Sequence, residues 1–349
     1  MPLHPKRWQI APPAPPGHIA RFSHLHPIIV QVLYNRGIRG PEEARAFLEG
    51  RLEADNPFRL RGMDSAVARI REAIRNGVPI AVYGDFDADG VTATALLILT
   101  LRALGAEAYP YIPHRVEEGY GLNRQALTEL ARRGVGLVIT VDCGVRSPEE
   151  VAHAQRLGMD VVITDHHTLG PRLPDAVAVL NPRRPGCPYP YKHLAGVGLA
   201  YKLAQGLLRA NHRVSLPGST SLREEDLLDL VALGTVADLA PLTGENRALV
   251  IRGLAQINTA PRPGLEALMR LTGLRPGQVN ATTIGYVLAP RLNAAGRIAH
   301  AKTAYQLLTA EYPAEAERLA QRLDALNRER QQLTAEAVER AREMVLAEG

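Results

Sequence analysis

Five short apolar runs between residues 80 and 180 constrain the fold of this 349-residue chain more than any other feature. Each run has the length of a β-strand. Helical patterns at Thr92–Leu104, Asn123–Arg133 and Pro148–Leu157 separate the first four runs. This alternation predicts an α/β domain with a doubly wound, mainly parallel five-stranded sheet. The predicted strands are Ile80–Tyr83, Ala108–Ile112, Leu137–Val141, Val161–Thr164 and Ala176–Leu180.

The chain on either side of this alternation has a different character. Residues 1–77 predict an irregular, Pro-containing arm followed by short helices, and residues 78–182 the α/β core. Residues 183–312 predict a helical part of the same domain, and residues 313–349 one long amphipathic helix. We expect this helix to connect to a second domain that is missing here, or else to fold back on the core or into a dimer. Its leucine stripe is Leu319, Leu323, Leu326 and Leu333.

Composition excludes several classes of protein. The two cysteines, Cys143 and Cys187, are too few for a disulfide framework or a four-thiolate zinc site. No apolar run approaches the roughly 20 residues that span a bilayer, and the N-terminus lacks the apolar core of a signal peptide. We therefore expect a cytoplasmic protein with no membrane partner.

Carboxylates follow the first predicted strand directly. Asp85, Asp87 and Asp89 alternate within the segment GDFDADG, a spacing that can converge oxygen ligands on a divalent cation. An EF-hand loop begins in the same way, but it requires a Glu at its twelfth position. That position is Leu96, inside an apolar helical pattern, so the EF-hand interpretation fails.

Two more predicted strands end in metal-binding residue types. The third runs into Asp142, and the fourth runs into Asp165-His166-His167. The carboxyl ends of parallel strands lie at one edge of a sheet, so we expect these side chains to meet there. Asp238 ends an apolar helical pattern, where a carboxylate opposes the helix dipole unless a cation neutralises it.

This combination of ligands indicates a chemistry. Asp with His suits Mn²⁺ or Mg²⁺, and His favours Mn²⁺. A pair of such ions is a common arrangement for in-line attack on a phosphate. Asp142, on a central strand, is the candidate for the carboxylate that binds both ions. The sequence contains no pattern for a Ser or Cys nucleophile with its base, and no G-x-x-x-x-G-K-[ST] phosphate loop. The residues predict metal-dependent hydrolysis of a phosphoester or phosphoanhydride.

These motifs carry a family resemblance. With Asp87, Asp89 and Asp142 upstream, the segment Asp165-His166-His167 resembles the DHH phosphoesterases. Longer stretches, spread over essentially the whole chain, are similar to the RecJ group of that family, which are single-strand-specific DNA exonucleases. These stretches are YGDFDADGVTATALL, PHRVEEGYGLN, ITVDCGV, VITDHH, NPRRPGCPYPYKHLAGVGLAYKL, ALGTVADLAPL and PRLNAAGRI.

The resemblance implies two divalent cations, with Mn²⁺ preferred, or Mg²⁺. The first ion would be held by Asp87 and Asp142 with help from Asp85. The ligands implied for the second ion are Asp89, Asp142, His166 and Asp238. In the family's phosphatase branch a metal-binding His precedes the acids, and here Tyr83 occupies that place.

Roles beyond the metal ligands also follow from the resemblance. Asp142, Asp165 and His167 would be catalytic: His167 faces the scissile phosphate as donor or acid, and Asp165 orients the two histidines. Arg291, Asn293 and Arg297 would bind the substrate backbone together with His167. Arginine forks suit phosphate, and the small residues between them allow a strand to approach closely.

Glycine-rich and basic segments give weaker signals of phosphate or DNA binding. Gly196-Val197-Gly198 precedes a helical pattern and could offer backbone amides to a phosphate. Arg115, Arg183 and Arg184 are candidates for the DNA path, although solvated loop charge is the more common role of such residues.

The resemblance implies a 5′–3′ exonuclease that releases 5′-mononucleotides from single-stranded DNA in repair and recombination. A single-strand-binding protein and a helicase are partners by the same resemblance. RecJ proteins carry DHHA1 and OB-like domains after the long helix, so the chain resembles their N-terminal catalytic core. The alternatives are a DHH phosphoesterase for short oligonucleotides, cyclic dinucleotides or pyrophosphate, and a non-catalytic replication scaffold.

Overall fold

The computed structural model describes residues 7–50 and 55–347, which belong to two compact units, one on each side of the gap. Predictions that concern residues 1–6, 51–54 and 348–349 lie outside the described residues. Each unit is described by itself below.

The first unit is helical. Its helices are α1 (Pro16–Ala20), α2 (Pro27–Asn35) and α3 (Pro41–Glu49). Each begins with a proline, whose fixed φ and missing N–H suit the first turn of a helix. Its small apolar core consists of Phe22, Val30, Leu33, Ile38 and Ala44.

A five-stranded sheet forms the centre of the second unit. All neighbouring strands are parallel, in the order β2-β1-β3-β4-β5, which confirms the predicted sheet. The last strand is shorter than its apolar run predicts, since it begins at Ala178. The strands are β1 (Ile80–Gly84), β2 (Ala108–Tyr111), β3 (Leu137–Val141), β4 (Asp160–Thr164) and β5 (Ala178–Leu180).

The register of the sheet aligns the ends of three strands. Gly84 of β1 pairs with Val141 of β3, which pairs with Thr164 of β4. The residues that follow these three partners are Asp85, Asp142 and Asp165. They leave the same edge of the sheet, beside the point between β1 and β3 where the strand order reverses. Open α/β sheets bind ligands at such a point.

Helices cover both faces of the sheet. The side formed with α6 and α7 packs a cluster that includes Leu127, Leu130, Val151 and Val161. On the other side α5 lies against β1 and also against α8 and α9, and its residues from Ala88 to Ile98 are all buried. The helices up to the fourth strand are α4 (Met63–Arg75), α5 (Ala88–Ala103), α6 (Arg124–Arg132) and α7 (Pro148–Arg156).

Helix α5 begins earlier than its apolar pattern predicts. The pattern places the first residue at Thr92, but the helix starts at Ala88. The reason is the cap: Asp87 Oδ1 accepts hydrogen bonds from the backbone N–H groups of Asp89 and Gly90. Asp89 therefore lies in the first turn of α5, and Asp87 precedes it.

The helical part that follows the sheet completes the second unit. A π-helical segment, Ile284–Leu288, joins α12 to α13. A 3₁₀ turn, Glu224–Leu227, precedes α9, and another, Pro57–Arg59, lies before α4. The helices are α8 (Gly196–Arg213), α9 (Leu228–Ala237), α10 (Gly244–Thr259), α11 (Pro263–Leu271), α12 (Ala281–Thr283), α13 (Ala289–Ile298), α14 (Lys302–Leu308) and α15 (Pro313–Ala347).

The long helix α15 is packed over its first half. It contacts α11, α13 and α14, and Leu319, Leu323 and Leu326 of its stripe are buried there. Leu333, the fourth leucine of the stripe, is 51% exposed, and the helix beyond it is exposed along its length. In the described part of the chain, no helix combines the length and the apolar character needed to cross a membrane.

Candidate metal centre

Three overlapping groups of ligand atoms lie at the carboxyl edge of the sheet. Within each group all of the ligand atoms are within 4.8 Å of one another. Asp142 belongs to two of the groups, as does His166. The groups are Asp85 with Asp87 and Asp142, Asp142 with His166 and His167, and Asp89 with His166 and Asp238.

Asp142 has an unusual backbone. Its φ of 60° is in the left-handed region, which non-glycine residues seldom adopt, and its side chain is buried. The first residue of α8, Gly196, lies directly against it: a Cβ on Gly196 would be 2.6 Å from Cβ and Oδ1 of Asp142. The close approach of α8 therefore requires glycine at position 196.

Asp89 is fixed by the same helix terminus. Its Oδ2 accepts a hydrogen bond from Gly196 N at 2.7 Å, and its Oδ1 accepts one from Val197 N at 2.8 Å. The positive end of the α8 dipole thus faces this buried carboxylate. The expectation that the Gly196-Val197-Gly198 amides face a phosphate is wrong for the first two, because they donate to Asp89 instead.

His166 lies among three carboxylates. Its Nε2 is 3.0 Å from Oδ1 of Asp142 and 4.0 Å from Oδ2 of Asp89. Its Nδ1 is 3.9 Å from Oδ2 of Asp238, the residue that follows α9. The imidazole therefore lies between Asp142 on one side and Asp89 and Asp238 on the other.

The acids of this cluster repel one another. Burial, followed by the charge of Asp87, raises the pKa of Asp85 to about 7 and that of Asp238 to about 6. Burial, followed by the charges of Asp238 and Asp87, raises the pKa of Asp89 well above the usual range. Burial, followed by the charges of Asp89 and Asp87, does the same for the pKa of Asp142. A divalent cation offsets such repulsion, because its charge favours the ionised carboxylates.

The pKa of His166 shifts in the opposite direction to those of the acids. Burial, with His167 beside it, lowers the pKa of His166 to about 4. The ring is therefore neutral at physiological pH, which is the form that binds a metal ion.

Unpartnered atoms test whether these residues fit a metal ion. Asp85 Oδ1, Asp142 Oδ1 and His166 Nε2 are buried and make no hydrogen bond of acceptable geometry within the described part of the chain, although the last two lie 3.0 Å apart. Buried polar atoms are normally satisfied, so three such atoms in one cluster need an explanation. Oxygen and imidazole donors converging at the end of a sheet fit Mn²⁺ or Mg²⁺.

His167, a member of one of these groups, also pairs with Asp165. Asp165 Oδ1 accepts hydrogen bonds from the backbone N–H of His167 at 3.0 Å and from its ring Nδ1 at 2.8 Å. Burial alone would raise the pKa of Asp165, but these bonds lower it and raise that of His167. The pair fixes the orientation of the His167 ring and leaves its Nε2 for another partner.

Tyr120 is a site residue that the sequence analysis missed. Its hydroxyl donates to the carbonyl oxygen of Asp142 at 3.2 Å and lies 3.2 Å from Nδ1 of His167. Its ring contacts Phe86 and His167 edge-on. The only signal was its place in the segment EEGYGLN, which assigned no role to the tyrosine.

Three of the four predicted substrate contacts, Arg291, Asn293 and Arg297, lie on α13, and their side chains have different surroundings. Arg297 is exposed. Asn293 Oδ1 accepts a hydrogen bond from Ala88 N at 2.7 Å, at the start of α5. Arg291 donates from Nε to Asp324 at 2.9 Å and from Nη1 to the carbonyl oxygen of Val287 at 2.7 Å.

The remaining candidates lie on the loops of the same edge. Arg115 is exposed, with its guanidinium 4.8 Å from the centre of the Phe86 ring. Arg183 is exposed, whereas Arg184 donates to the carbonyl oxygen of Val179.

Tyr83, which stands where the phosphatase branch has a metal-binding His, is fully buried. It donates its hydroxyl to the carbonyl oxygen of Gly121, so it takes part in the core.

The fold and this cluster define a protein of the DHH type. The model of the DHH family, N-terminal domain, matches residues 79–235, which hold the sheet and all but one of the cluster's acids and histidines. The chain belongs to this family, and within it to the RecJ group.

Relatives at high identity support the assignment of the chain to the RecJ group. The single-stranded-DNA-specific exonuclease RecJ of Bacillus subtilis (strain 168) is 44% identical over 347 residues, which are 98% of this chain and 42% of that protein. A crystal structure of exonuclease RecJ bound to manganese is 38% identical with a TM-score of 0.72. The match covers 80% of this chain and 69% of that one.

A third match is the crystal structure of RecJ from Thermus thermophilus in complex with Mn²⁺. It is 33% identical with a TM-score of 0.81, over 96% of this chain and 47% of that one. The chain thus spans less than half the length of these B. subtilis and T. thermophilus relatives.

Proposed function

We propose that this chain is the catalytic core of a metal-dependent phosphodiester hydrolase, a 5′–3′ exonuclease that releases 5′-mononucleotides from single-stranded DNA. One observation carries the proposal: buried, unpartnered ligand atoms of Asp85, Asp142 and His166 converge at the switch point of the sheet. The names of the RecJ relatives supply the substrate.

Two divalent cations, Mn²⁺ or Mg²⁺, would occupy the cluster. Asp85, Asp87 and Asp142 would hold the first. The second would be held by Asp89, Asp142, His166 and Asp238, which makes Asp142 the shared ligand. When bound, the ions would neutralise charge on the phosphate oxygens and lower the pKa of a water molecule.

The chain's own residues would orient the reacting groups. The Nδ1–H of His167 donates to Asp165, so Nε2 is the ring atom that would face the scissile phosphate as donor or acid. The αL backbone of Asp142, held by the Tyr120 hydroxyl, aims the shared carboxylate between the ligand groups. Asp165 and Tyr120 thus act through His167 and Asp142.

The substrate strand would follow the edge of the site near the end of α13. Gly296 lies against the carbonyl of Phe86, so the adjacent exposed Arg297 is close to the loop that holds Asp85 and Asp87. An exposed guanidinium there suits a backbone phosphate. Arg291 and Asn293 are the other predicted contacts on this helix, together with His167. By family, the setting is the cytoplasm and the process DNA repair and recombination, with a single-strand-binding protein and a helicase as partners.

The test is a nuclease assay with product analysis. The chain is incubated with Mn²⁺ and 5′-phosphorylated single-stranded DNA labelled at either end, next to Asp142→Asn and Asp160→Asn. Asp160 begins β4 at the opposite edge of the sheet and pairs with Arg69. We expect mononucleotides from the 5′ end with the chain itself and with Asp160→Asn, and none with Asp142→Asn.

Two outcomes would contradict the proposal. An intact strand, with hydrolysis of pyrophosphate, a cyclic dinucleotide or an oligomer of a few nucleotides, would indicate a small-substrate enzyme. No hydrolysis of any of them, with no Mn²⁺ bound, would indicate a non-catalytic protein.

A further inference from the structure

Helix α13 touches the loop between β1 and α5 at two points, on either side of Asp87. Asn293 Oδ1 accepts the backbone N–H of Ala88 at 2.7 Å. Three residues further along, Gly296 lies so close to the loop that a Cβ there would be 2.5 Å from the carbonyl oxygen of Phe86. Residues three apart share one face of a helix, so this face of α13 is the one that supports the loop.

The hydrogen bond to Ala88 completes the cap of α5. Asp87 Oδ1 accepts from the N–H groups of Asp89 and Gly90, which leaves the N–H of Ala88 to another acceptor. Ala88 is 1% exposed, so water is a poor substitute for Asn293. The residues on both sides of this N–H, Asp87 and Asp89, are proposed metal ligands.

Arg291 holds α13 from its other side. Its Nε donates to Asp324 of α15, and its Nη1 donates to the carbonyl of Val287 in the π-helical segment. The side chain of Asp324 is only 9% exposed and also pairs with Arg328, at 2.7 Å. Arg291 therefore directs its charge at α15, away from the face that carries Asn293 and Gly296.

We infer that Asn293 is a positioning residue for the metal centre, which acts by accepting the N–H of Ala88, and that the Arg291–Asp324 pair fixes α13 for this role. The inference rests on the proposed function and revises it for these two residues, since neither contacts the substrate strand in this assignment. The loop that carries Asp85 and Asp87 is thus positioned by a distant helix, since Asn293 and Ala88 are 205 residues apart in the chain.

Substitutions at Asn293 separate positioning from substrate binding. Asn293→Asp keeps an oxygen that accepts the Ala88 N–H, whereas Asn293→Leu keeps the size and loses the acceptor. The control is Asn280→Ala, which removes a similar cap of α12 in the same helical part. Mn²⁺ affinity is measured without nucleic acid, by calorimetry or by the electron paramagnetic resonance signal of free Mn²⁺.

We expect Mn²⁺ affinity to fall about 10-fold or more in Asn293→Leu and to stay within about threefold in Asn293→Asp and Asn280→Ala. Unchanged Mn²⁺ affinity in Asn293→Leu, with a higher KM for DNA in both Asn293 variants, would overturn the inference in favour of substrate binding. If the unsubstituted chain itself binds no Mn²⁺, the proposed function fails and the inference falls with it.

Hydrogen exchange gives a second measurement that needs no metal. Peptides covering residues 85–97 are compared by mass spectrometry in the presence of a chelator, with Asn293→Ala in case Asn293→Leu does not fold. We expect faster exchange of this segment in Asn293→Ala and in Asp324→Asn, and no change in Asn280→Ala. Equal exchange in all of them would contradict the role of Asn293.

Discussion

Gly196 and Asp142 are in such close contact that a single added carbon atom would collide with the Asp142 carboxylate: a Cβ at position 196 would be 2.6 Å from Asp142 Oδ1. The N–H of Gly196 also donates to Asp89. One glycine at the start of α8 thus sets the separation of two proposed ligands.

Gly196→Ala is expected to displace Asp142 or the start of α8. Because the neighbours are backbone-anchored and buried, the cost is about 1–3 kcal/mol in the free energy of unfolding, with at least ~10-fold weaker Mn²⁺ binding. Gly198→Ala is the matched control on the same helix, since its nearest neighbour would be a leucine methyl at 3.3 Å. Denaturant titration and calorimetry measure the two effects. Equal Mn²⁺ affinity in both variants would contradict the expectation.

Tyr120→Phe removes one hydroxyl and keeps the ring contacts with Phe86 and His167. The Asp142 carbonyl loses its donor, and Nδ1 of His167 keeps Asp165 as its partner. We expect kcat on single-stranded DNA to fall about 10-fold with KM unchanged, which is less than the loss in Asp165→Asn. Steady-state kinetics with short labelled strands measure both constants. A rise in KM alone would show that the hydroxyl contacts the substrate instead.

Asp85→Asn is expected to stabilise the metal-free chain in a pH-dependent way. Burial and Asp87 raise the pKa of Asp85 to about 7, so the folded state holds a proton that the unfolded state releases near pH 4. Stability is therefore lost as pH rises from about 4 to 7, and the neutral asparagine escapes this loss. The gain in unfolding free energy should be greater at pH 8 than at pH 5 by on the order of 2 kcal/mol.

Urea denaturation in the presence of a chelator measures that difference. With saturating Mn²⁺ the sign reverses, because the ion favours the ionised carboxylate and Asp85→Asn loses a ligand. A gain that is the same at both pH values would show that Asp85 is already ionised in the folded, metal-free chain at pH 5.

Arg297→Gln tests the path of the substrate strand. If the exposed guanidinium neutralises one phosphate, the slope of log affinity against log salt concentration falls by about one, and affinity for single strands falls uniformly across sequences. Fluorescence anisotropy with the inactive Asp142→Asn background measures the binding. The control is Arg132→Gln at the exposed end of α6, where we expect no change in the slope.

Much of the site was predictable because its residues follow strands. The apolar runs specify β1, β3 and β4, and the residue types after them are visible as carboxylates and imidazoles. Parallel pairing then requires Asp85, Asp142 and Asp165 to leave the same edge, as the register confirms. Even Asp238, at the end of an apolar helix, was identifiable from local sequence alone.

The tertiary structure alone decided what the other residues contact. The family resemblance implied substrate contacts for Arg291 and Asn293, and local pattern left the Gly196 amide free for a phosphate. It could not show that these groups hydrogen-bond to Asp324, Ala88 and Asp89. Those last two contacts join residues 205 and 107 positions apart. Periodicity reports which face of an element is apolar, and residue type reports which chemistry is available. Which distant partner satisfies a polar group depends on how the helices dock on the sheet. Only in the folded chain does α8 meet Asp89 and Asp142, and α13 the start of α5.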